Sequence, residues 1–419
     1  MTSLVITGDV QSGFEPVRAL FERTMQDQAE QHAQLCVYVG EDRVVDLCAT
    51  HDPAAGFTAD SIVNIFSSGK SLEAIAMASL VSKGLLDYEK LISDYWPEYG
   101  KHGKENTTVA DLMRHEAGLS AFDVSIDPND LLTQNIKQNK VGKIIEEHSP
   151  KFREGDDAKR EYHAVTRGWI INEVFRRVDP DGRTIGEYLR EELSGPLDAD
   201  IYIGVPDQKL GDIHPVEPSP VGKHLLETMK PRMMGRRVTD NVFGLSRKVM
   251  HMAPSFRKGS RRGAPPPFKD LDTITAFNEK IVAQGETPSA NTHSSARGLA
   301  KLAAVMANGG VWENAEYFST AAWQAAHDQP VRSNMGMQTN FTQGGVALFD
   351  GATSNIIERA LNQGREGFYG WMGLGGSIFQ WHPEARVGFA FVPTQLHVLD
   401  FVNERGKVYQ KEIMKCLRT

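Results

Sequence analysis

Segments with strand character lie at the two ends of this chain, and the residues between them are typical of helices. At each end, two apolar and β-branched runs flank a short turn, which predicts a β-hairpin. One helix is predicted before the first hairpin and another after the second. The predicted segments are the helix at residues 14–31, the strands at 34–39, 43–48, 377–381 and 387–393, and the helix at 401–417.

Hairpins at both ends favour a single antiparallel sheet built from the two termini, because strands must share a buried apolar face. The expected fold class is α+β, with helices flanking the sheet and a mainly helical part inserted. Although 419 residues suggest two or three domains at about 150 residues each, we predict one composite unit over 1–419. In this unit, residues 1–66 and 290–419 form the sheet part and residues 67–289 the helical part. Internal helices are predicted at residues 71–83, 108–114, 166–177, 185–193 and 294–308.

The overall charge excludes one class of partner. The chain has 46 Lys and Arg against 54 Asp and Glu, a net charge of −8, whereas nucleic-acid binding needs a basic surface. No nucleic-acid partner is therefore expected. Three cysteines without a CxxC pair favour a reducing compartment. The opening residues lack a signal-peptide pattern, and no long apolar run predicts a transmembrane helix, so a cytoplasmic location is expected.

One segment departs strongly from this acidic average. Residues 223–269 hold twelve lysines and arginines against only Glu227 and Asp240, and they are rich in methionine. Charge runs usually mark exposed surface, so a solvated insertion is one interpretation. The alternatives are a flap over a functional site, a patch for an anionic partner, or an assembly surface that is compatible with a homo-oligomer.

The strongest chemical signal is Ser67–Ser68–Gly69–Lys70 at the start of the predicted helix 71–83. In Ser-x-x-Lys at a helix start, the two side chains lie on one face within contact range. A serine hydroxyl needs a nearby base to act as a nucleophile. The free N–H groups of the helix start favour a developing oxyanion, and its positive field lowers the pKa of the lysine. A second match, Ser255-x-x-Lys258, lacks a following apolar helix and is interpreted as coincidence.

The surroundings of Ser67 resemble the serine β-lactamase and penicillin-recognising superfamily, on its class C and esterase side. The motifs that carry the resemblance occur in the family's order over most of the chain. They are Ser67–Lys70, Gly84–Asp87, Tyr95–Tyr99, Thr108–Leu119, Glu161–Trp169, Ser295–Arg297, Asn308–Gly310 and Gly370–Ser377.

The resemblance implies a β-lactamase-like fold and a serine hydrolase. By resemblance, Ser67 is the acylated nucleophile, Lys70 assists its deprotonation, and Tyr162 shuttles a proton between nucleophile and leaving group. A tyrosine has an ordinary pKa of about 10 and needs a cationic neighbour at neutral pH, which Lys70 could supply. The implied oxyanion hole consists of the backbone N–H groups of Ser67 and Leu374, the latter on an edge strand.

Two departures from the family's β-lactamases shape the expected pocket. Ala164 stands where they carry a substrate-binding asparagine, and Trp371–Met372–Gly373 replaces their Lys-Thr-Gly. The Trp-x-Gly version is similar to that of the family's esterases, and the lost cation favours a neutral, partly apolar acyl group. We therefore expect Trp371, Gly373, Ala164 and His163 to line the pocket, with His163 a structural hydrogen-bond donor rather than a base.

The predicted reaction is hydrolysis of a small-molecule carboxylic ester or amide through an acyl-enzyme on Ser67. Acyl transfer, cleavage of D-amino-acid or other small peptides, and weak β-lactamase activity stay open as alternatives. From another class, the basic segment 223–269 supports a non-catalytic assembly or binding scaffold. The histidines form no HExxH or comparable pair, and Gly373–Gly376 precedes a predicted strand, so neither a metal nor another cofactor is predicted.

Overall fold

The computed structural model describes residues 4–152, 159–258, 261, 263–351 and 356–418, with the backbone alone at residues 254–258 and 356. Its strands are mostly short, and the long ones lie near the two ends of the chain. They are β1 (Val5–Val10), β2 (His32–Val39), β3 (Asp42–Thr50), β4 (Val63–Asn64), β5 (Ile201–Tyr202), β6 (Glu217–Pro218), β7 (His293–Ser294), β8 (Val311–Trp312), β9 (Ala315–Glu316), β10 (Val331–Asn334), β11 (Gln338–Phe341), β12 (Ala347–Leu348), β13 (Tyr369–Met372), β14 (Ile378–His382), β15 (Val387–Pro393) and β16 (Gln395–Leu396).

The helices occupy most of the region between the two sets of long strands. They are α1 (Glu15–Asp27), α2 (Lys70–Ser82), α3 (Ile92–Tyr95), α4 (Val109–Met113), α5 (Thr133–Ile136), α6 (Lys140–Glu147), α7 (Thr166–Val178), α8 (Ile185–Tyr188), α9 (Val221–Met229), α10 (Val242–Lys258), α11 (Lys280–Gln284), α12 (Ala296–Ala307), α13 (Thr320–His327), α14 (Ile356–Asn362) and α15 (Glu404–Cys416). Within the described ranges, none of these helices combines the length and the apolar character needed to cross a bilayer.

The main sheet has nine antiparallel strands in the order β1-β3-β2-β15-β14-β13-β12-β11-β10. Strands β2 and β15 are direct neighbours, with Val37 opposite Phe389. This pairing joins the two ends of the chain, so the predicted α+β fold with a sheet built from both termini is confirmed. The division of the chain at residues 66 and 290 stays a prediction.

The sheet is buried on both faces because its side chains alternate between two apolar cores. On β2, Leu35 and Val37 pack in the core that includes α1 and α15. Cys36 and Tyr38 point the other way, into the core that holds α2 and α12. This alternation follows from the two-residue period of a strand. It also places α2 against the sheet with its amino-terminal end beside β13.

Some elements differ from those that the sequence pattern predicts. Strands β10, β11 and β12 were not predicted, because runs of four residues or fewer carry too little periodicity to be recognised. Strand β1 was not predicted either, since Gly8 and Asp9 interrupt its apolar pattern. The predicted helix 185–193 is helical throughout, but α8 ends at Tyr188 and a π-helical stretch covers Leu189–Ser194.

Candidate active site

Ser67 lies in a 3₁₀ turn, Phe66–Gly69, that leads directly into α2. Across residues 61–80, a stretch that the structure describes in full, Ser67 is the one residue that is not buried. The preceding Phe66 has a φ of 47°, a left-handed conformation that costs about 1–3 kcal/mol for such a residue. Its amide donates to Asn64 Oδ1 at 2.7 Å, which holds this conformation. The strained turn therefore presents one serine hydroxyl at an otherwise buried helix start.

The amine of Lys70 occupies a fixed position beside that hydroxyl. Its Nζ lies 3.3 Å from Ser67 Oγ. It also donates to the carbonyl oxygens of Ala164 at 2.6 Å and Ser289 at 3.1 Å. The Nζ lies 4.8 Å from the centroid of the Tyr162 ring. These contacts with separate parts of the chain place the Lys70 amine between Ser67 and Tyr162.

The surroundings of Lys70 disfavour its charged form. Burial is the largest cause that lowers the pKa of Lys70 well below its ordinary value. The Glu73 carboxylate acts in the opposite direction, and the positive charges of Arg167 and Arg261 lower the pKa further. These surroundings shift Lys70 toward its neutral form, which is the form that a general base requires.

Tyr162 completes the group around Ser67. Its hydroxyl accepts a hydrogen bond from Trp371 Nε1 at 3.0 Å and is hydrogen-bonded to Ser67. Burial raises the pKa of Tyr162, while the bonds to Ser67 and Trp371 act in the opposite direction. Burial disfavours charge on both Tyr162 and Lys70, and the expectation that a cationic Lys70 assists Tyr162 stays a prediction.

A buried ion pair beneath the site was not predicted from the sequence. Arg167 Nε donates to Glu73 Oε2 at 2.7 Å, and neither side chain is exposed. Arg167 also donates to the carbonyl oxygen of Lys70 at 3.0 Å, and Ser289 donates to Glu73 Oε1. The pair therefore connects α7, α2 and the Ser289 turn that hold Lys70. A carboxylate inside an Ala/Leu/Met helix was the available signal, since a buried charge needs a partner.

His163 lies behind the site and not in the pocket wall, which corrects the expectation that it lines the pocket. Its ring is buried, Nδ1 donates to the Glu161 carbonyl at 2.6 Å, and Nε2 accepts from the Leu119 amide at 3.0 Å. Burial lowers the pKa of His163 to about 3. His163 therefore links the backbone just before Tyr162 to the backbone at Leu119, in agreement with its expected role as a structural donor.

The turn after β13 faces the nucleophile. A Cβ at Gly373 would lie 2.2 Å from the Ile65 carbonyl oxygen, so only glycine fits there. Ser377 Oγ donates to the same carbonyl at 2.6 Å. Leu374 is 42 % exposed. Among the hydrogen bonds of the described residues, none is donated by the backbone amide of Leu374 or of Ser67. Both amides are thus free to bind an oxyanion.

The position of Leu374 differs from the predicted edge strand. Strand β13 ends at Met372, and Leu374 lies in the turn before β14. Strand β13 is internal, because the short strand β12 pairs with its other side. The unpredicted strands β10–β12 are the reason that β13 is not an edge strand, and the end of β13 at Met372 is the reason that Leu374 lies in a turn.

Two side chains of the last helix region hold the turn in place. Asn403 Nδ2 donates to the carbonyl oxygens of Gly373 and Ser377, each at 3.0 Å. Arg405 donates to the carbonyl of Gly375 and is paired with Glu30 from the other end of the chain. Sequence patterns carry no signal for these bonds, since they join residues far apart in the chain.

Trp371 is fixed by its neighbours and forms the inner side of the site. Its backbone amide donates to Oγ of Ser71, on α2, at 2.9 Å. The indole packs on Phe341 at 5.0 Å between ring centroids and on Phe349 at 6.3 Å. The indole N–H donates to Tyr162 Oη at 3.0 Å, so Trp371 restricts the position of that hydroxyl.

A cavity of about 100 Å³ lies at the start of α7, around Val165 and Thr166. Its wall combines apolar and aromatic side chains with polar groups, among them one cation from the basic segment. The lining residues include Ser120, Phe122, Val165, Trp169, Arg261 and Pro265. Arg261 places part of the basic segment 223–269 in the wall of this cavity, and the alternatives of a flap, an anionic-partner patch and an assembly surface stay predictions. The second Ser-x-x-Lys match falls in the last turn of α10, and its side chains lie outside the described residues.

The chain is similar to known proteins over most of its length. A family model described as Beta-lactamase matches residues 17–410. The protein "Esterase/beta-lactamase LipL" of Mycobacterium tuberculosis is 30 % identical over 371 residues, which are 86 % of this chain and 76 % of that protein.

Solved structures show the same architecture. A family VIII carboxylesterase has a TM-score of 0.75 at 23 % identity, covering 98 % of this chain and 100 % of that one. A penicillin-binding protein homologue from Caulobacter crescentus has a TM-score of 0.71 at 24 % identity, covering 99 % and 100 %. At such identities the structural likeness establishes the fold.

Proposed function

The chain belongs to the Beta-lactamase family and is a hydrolase of the β-lactamase and esterase type, and we propose that it cleaves a carboxylic ester through an acyl-enzyme on Ser67. The observation that carries this proposal is the contact set of Lys70. A neutral amine has two hydrogens and one lone pair. Two hydrogens are committed to the carbonyls of Ala164 and Ser289, so the lone pair is left for the Ser67 hydroxyl, 3.3 Å away.

Acylation then follows from this arrangement. Lys70 takes the proton of Ser67 as its Oγ attacks the ester carbonyl, and the tetrahedral oxyanion is held by the amides of Ser67 and Leu374. These amides stabilise charge that exists only after attack, so their effect falls on the transition state.

Tyr162 is suited to protonate the leaving group. An indole N–H can only donate, so the Tyr162 oxygen is the acceptor in its bond to Trp371 and its own hydrogen is directed elsewhere. That hydrogen passes to the departing alkoxide, and the phenolate regains a proton from the Lys70 ammonium. Water then attacks the acyl-enzyme, its proton passing to Lys70, and Ser67 leaves with a proton returned through the same pair.

The pocket favours an uncharged, partly apolar acyl group. Trp371 occupies the position where the family's β-lactamases carry a lysine, and its N–H is committed to Tyr162. The neighbouring cavity is lined by Phe122, Val165 and Trp169. A small apolar acyl chain can bury its surface there, and each buried methylene contributes about 0.8 kcal/mol of favourable binding free energy.

The test is labelling and turnover of Ser67→Ala. We expect loss of p-nitrophenyl butyrate hydrolysis and of covalent labelling by a fluorophosphonate probe. Ser255→Ala, in the second Ser-x-x-Lys match, is the matched control and should retain both. Turnover by Ser67→Ala at the wild-type rate, or labelling lost only in Ser255→Ala, would contradict the proposal.

A further inference from the structure

Helix α9 (Val221–Met229) carries its apolar side chains toward the solvent. Its buried residues are polar, namely His224, Glu227 and Thr228. Leu226 is 65 % exposed and Met229 69 %, the reverse of the usual orientation of a surface helix. The exposed apolar side chains of α9 are Val221, Leu225, Leu226 and Met229.

Helix α10 (Val242–Lys258) buries Leu245 and Met252 but also exposes several apolar side chains. Lys248 faces the protein, where its Nζ lies 2.8 Å from Asp240 Oδ2 and 3.5 Å from Glu404 Oε1. On the opposite side, Phe243 is 82 % exposed. The exposed apolar side chains of α10 are Val242, Phe243, Val249 and Met250.

Both helices rest on the same short stretch of chain. The ring of His224 on α9 packs against His397, with 5.6 Å between centroids, and Lys248 on α10 reaches Glu404. Because their inward faces meet residues 397–404, their outward faces lie on one side of the molecule. We call this surface the Met-rich face; its side chains are those of α9 and α10 given above together with Met233 and Met234 of the intervening turn.

The exposed charges within residues 221–250 are all positive. Residues 221–250, which the structure describes in full, contain two acids, and both turn inward. Glu227 is buried and binds Lys230 and the Arg237 amide, while Asp240 binds Lys248. The exposed cations of this stretch are Lys223, Lys230, Arg232, Arg237 and Arg247.

We propose that the Met-rich face docks on an anionic phospholipid bilayer, with α9 and α10 lying in the headgroup region. Scattered exposed apolar residues are ordinary, but eight on two adjacent helices and two in the turn between them mark an interaction surface. Apolar side chains flanked by lysine and arginine are what a helix at an anionic membrane surface requires. A second copy of the chain fits less well, because a two-fold contact would set the same five cations against their copies.

The docking surface is connected to the candidate oxyanion turn. His397 donates its amide to the Gly375 carbonyl at 3.1 Å, and Asn403 holds Gly373. The stretch that carries both helices therefore also fixes the turn that includes Leu374. Docking at this surface would place the site close to ester substrates dissolved in the bilayer.

The test is co-sedimentation with vesicles of phosphatidylglycerol and phosphatidylcholine in equal parts. We expect the wild-type protein to bind them, to bind pure phosphatidylcholine weakly, and to dissociate as salt increases. The triple variant Lys230→Gln, Arg232→Gln, Arg247→Gln should bind about fivefold more weakly for each cation removed, from about 1 kcal/mol per cation at a membrane surface. The triple variant Leu226→Ser, Met233→Ser, Phe243→Ser should lose at least about tenfold in affinity for the vesicles, because it removes apolar area that the bilayer would bury.

Matched controls carry the same substitutions elsewhere. Lys90→Gln, Lys101→Gln, Lys143→Gln removes three exposed cations, and Val311→Ser, Val331→Ser, Leu417→Ser three exposed apolar side chains; both should bind like the wild type. Ser67→Ala should also bind normally, so failure of docking is separable from failure of the esterase proposal. The docking proposal is overturned if the wild-type protein does not bind vesicles, or if the variants of the Met-rich face bind as well as the control variants. It is also overturned if the wild type binds no vesicles but sediments as a dimer, and Phe243→Ser sediments as a monomer.

Discussion

Lys70 determines the pH dependence that we expect of the reaction. As a base it acts when unprotonated, so activity rises with pH through its pKa, and burial places that pKa well below the ordinary value of 10.5. We therefore expect full activity to be reached well below pH 10.5 in a profile of kcat/KM for p-nitrophenyl butyrate. An ascending limb centred near 10.5 would contradict the proposed role.

A substitution separates the charge of Lys70 from its role as a base. Arginine keeps its proton at all accessible pH values, so Lys70→Arg should lose about 10²–10⁴-fold in kcat/KM. Lys83→Arg, just beyond the end of the same helix, is the control and should retain activity. Similar losses in both variants would indicate a general effect on α2.

For Tyr162 we expect an effect on kcat that depends on the leaving group, because this residue is proposed to protonate it. Tyr162→Phe removes the proton donor, and an alkyl alkoxide needs that proton far more than p-nitrophenolate does. We expect kcat for ethyl butyrate to fall about 10²–10⁴-fold and kcat for the p-nitrophenyl ester to fall less. Equal losses for the two esters would exclude Tyr162 as the acid.

At the residue scale, local spacing is what the sequence discloses. Ser67 and Lys70 are three positions apart on one helix start, so their contact follows from helix geometry. The Glu73–Arg167 pair joins residues 94 positions apart, and a single sequence offers no periodicity for such a contact. His163 was misplaced for a related reason, since adjacency to Tyr162 says nothing of which way its ring turns.

At the scale of elements, the turn between β13 and β14 depends on Asn403. This residue has a φ of 50° and donates to two carbonyls of the turn. Asn403→Gly keeps the left-handed backbone but removes both bonds. We expect kcat to fall on the order of 10²-fold with little change in KM, because oxyanion binding is realised in the transition state.

The control for this variant is Asn139→Gly, another left-handed asparagine that lies far from the turn in sequence. It loses bonds to Arg176 and Arg177, so its melting temperature should drop while kcat per folded molecule is kept. A rise in KM at constant kcat in Asn403→Gly would show that the residue supports substrate binding instead.

Element length decided which parts of the sheet could be predicted. Strands β2, β3, β14 and β15 have at least five residues each and flank recognisable turns. Strands β10–β12 have four, four and two residues, and their pairing depends on the neighbouring strand already being in place. The same pairing makes β13 internal, so the omission of these strands led to the wrong prediction of an edge strand at Leu374.

At the scale of the molecule, the contact of β15 with α12 should bind the two ends into one cooperative unit. A Cβ at Gly388 would lie 2.4 Å from the Ala304 amide nitrogen, a clash with backbone that cannot be relieved by a rotamer. Gly388→Leu is expected to lower the free energy of unfolding by about 3 kcal/mol. Hydrogen exchange should then accelerate in β2 as well as in β15, although β2 is unchanged in sequence.

Gly211→Leu provides the comparison, since no atom lies near a Cβ at Gly211. It should leave exchange in β2 and β15 unaltered. Faster exchange in β15 alone after Gly388→Leu would show that the two ends unfold separately.

The prediction of one sheet from both termini was possible because the strand patterns themselves lie at the termini. The average charge of the chain, in contrast, does not show the cationic face of residues 221–250.

The pairing of β2 with β15 also has a consequence for biosynthesis. When β2 leaves the ribosome, its partner has not been made, and residues 40–386 must be translated first. At about 5–20 residues per second this takes roughly 20–70 s. Throughout that interval one edge of β2 stays unpaired, and unpaired edges are where chains associate wrongly. The nascent amino-terminal hairpin is therefore a natural client for chaperones, and slower synthesis lengthens its exposure.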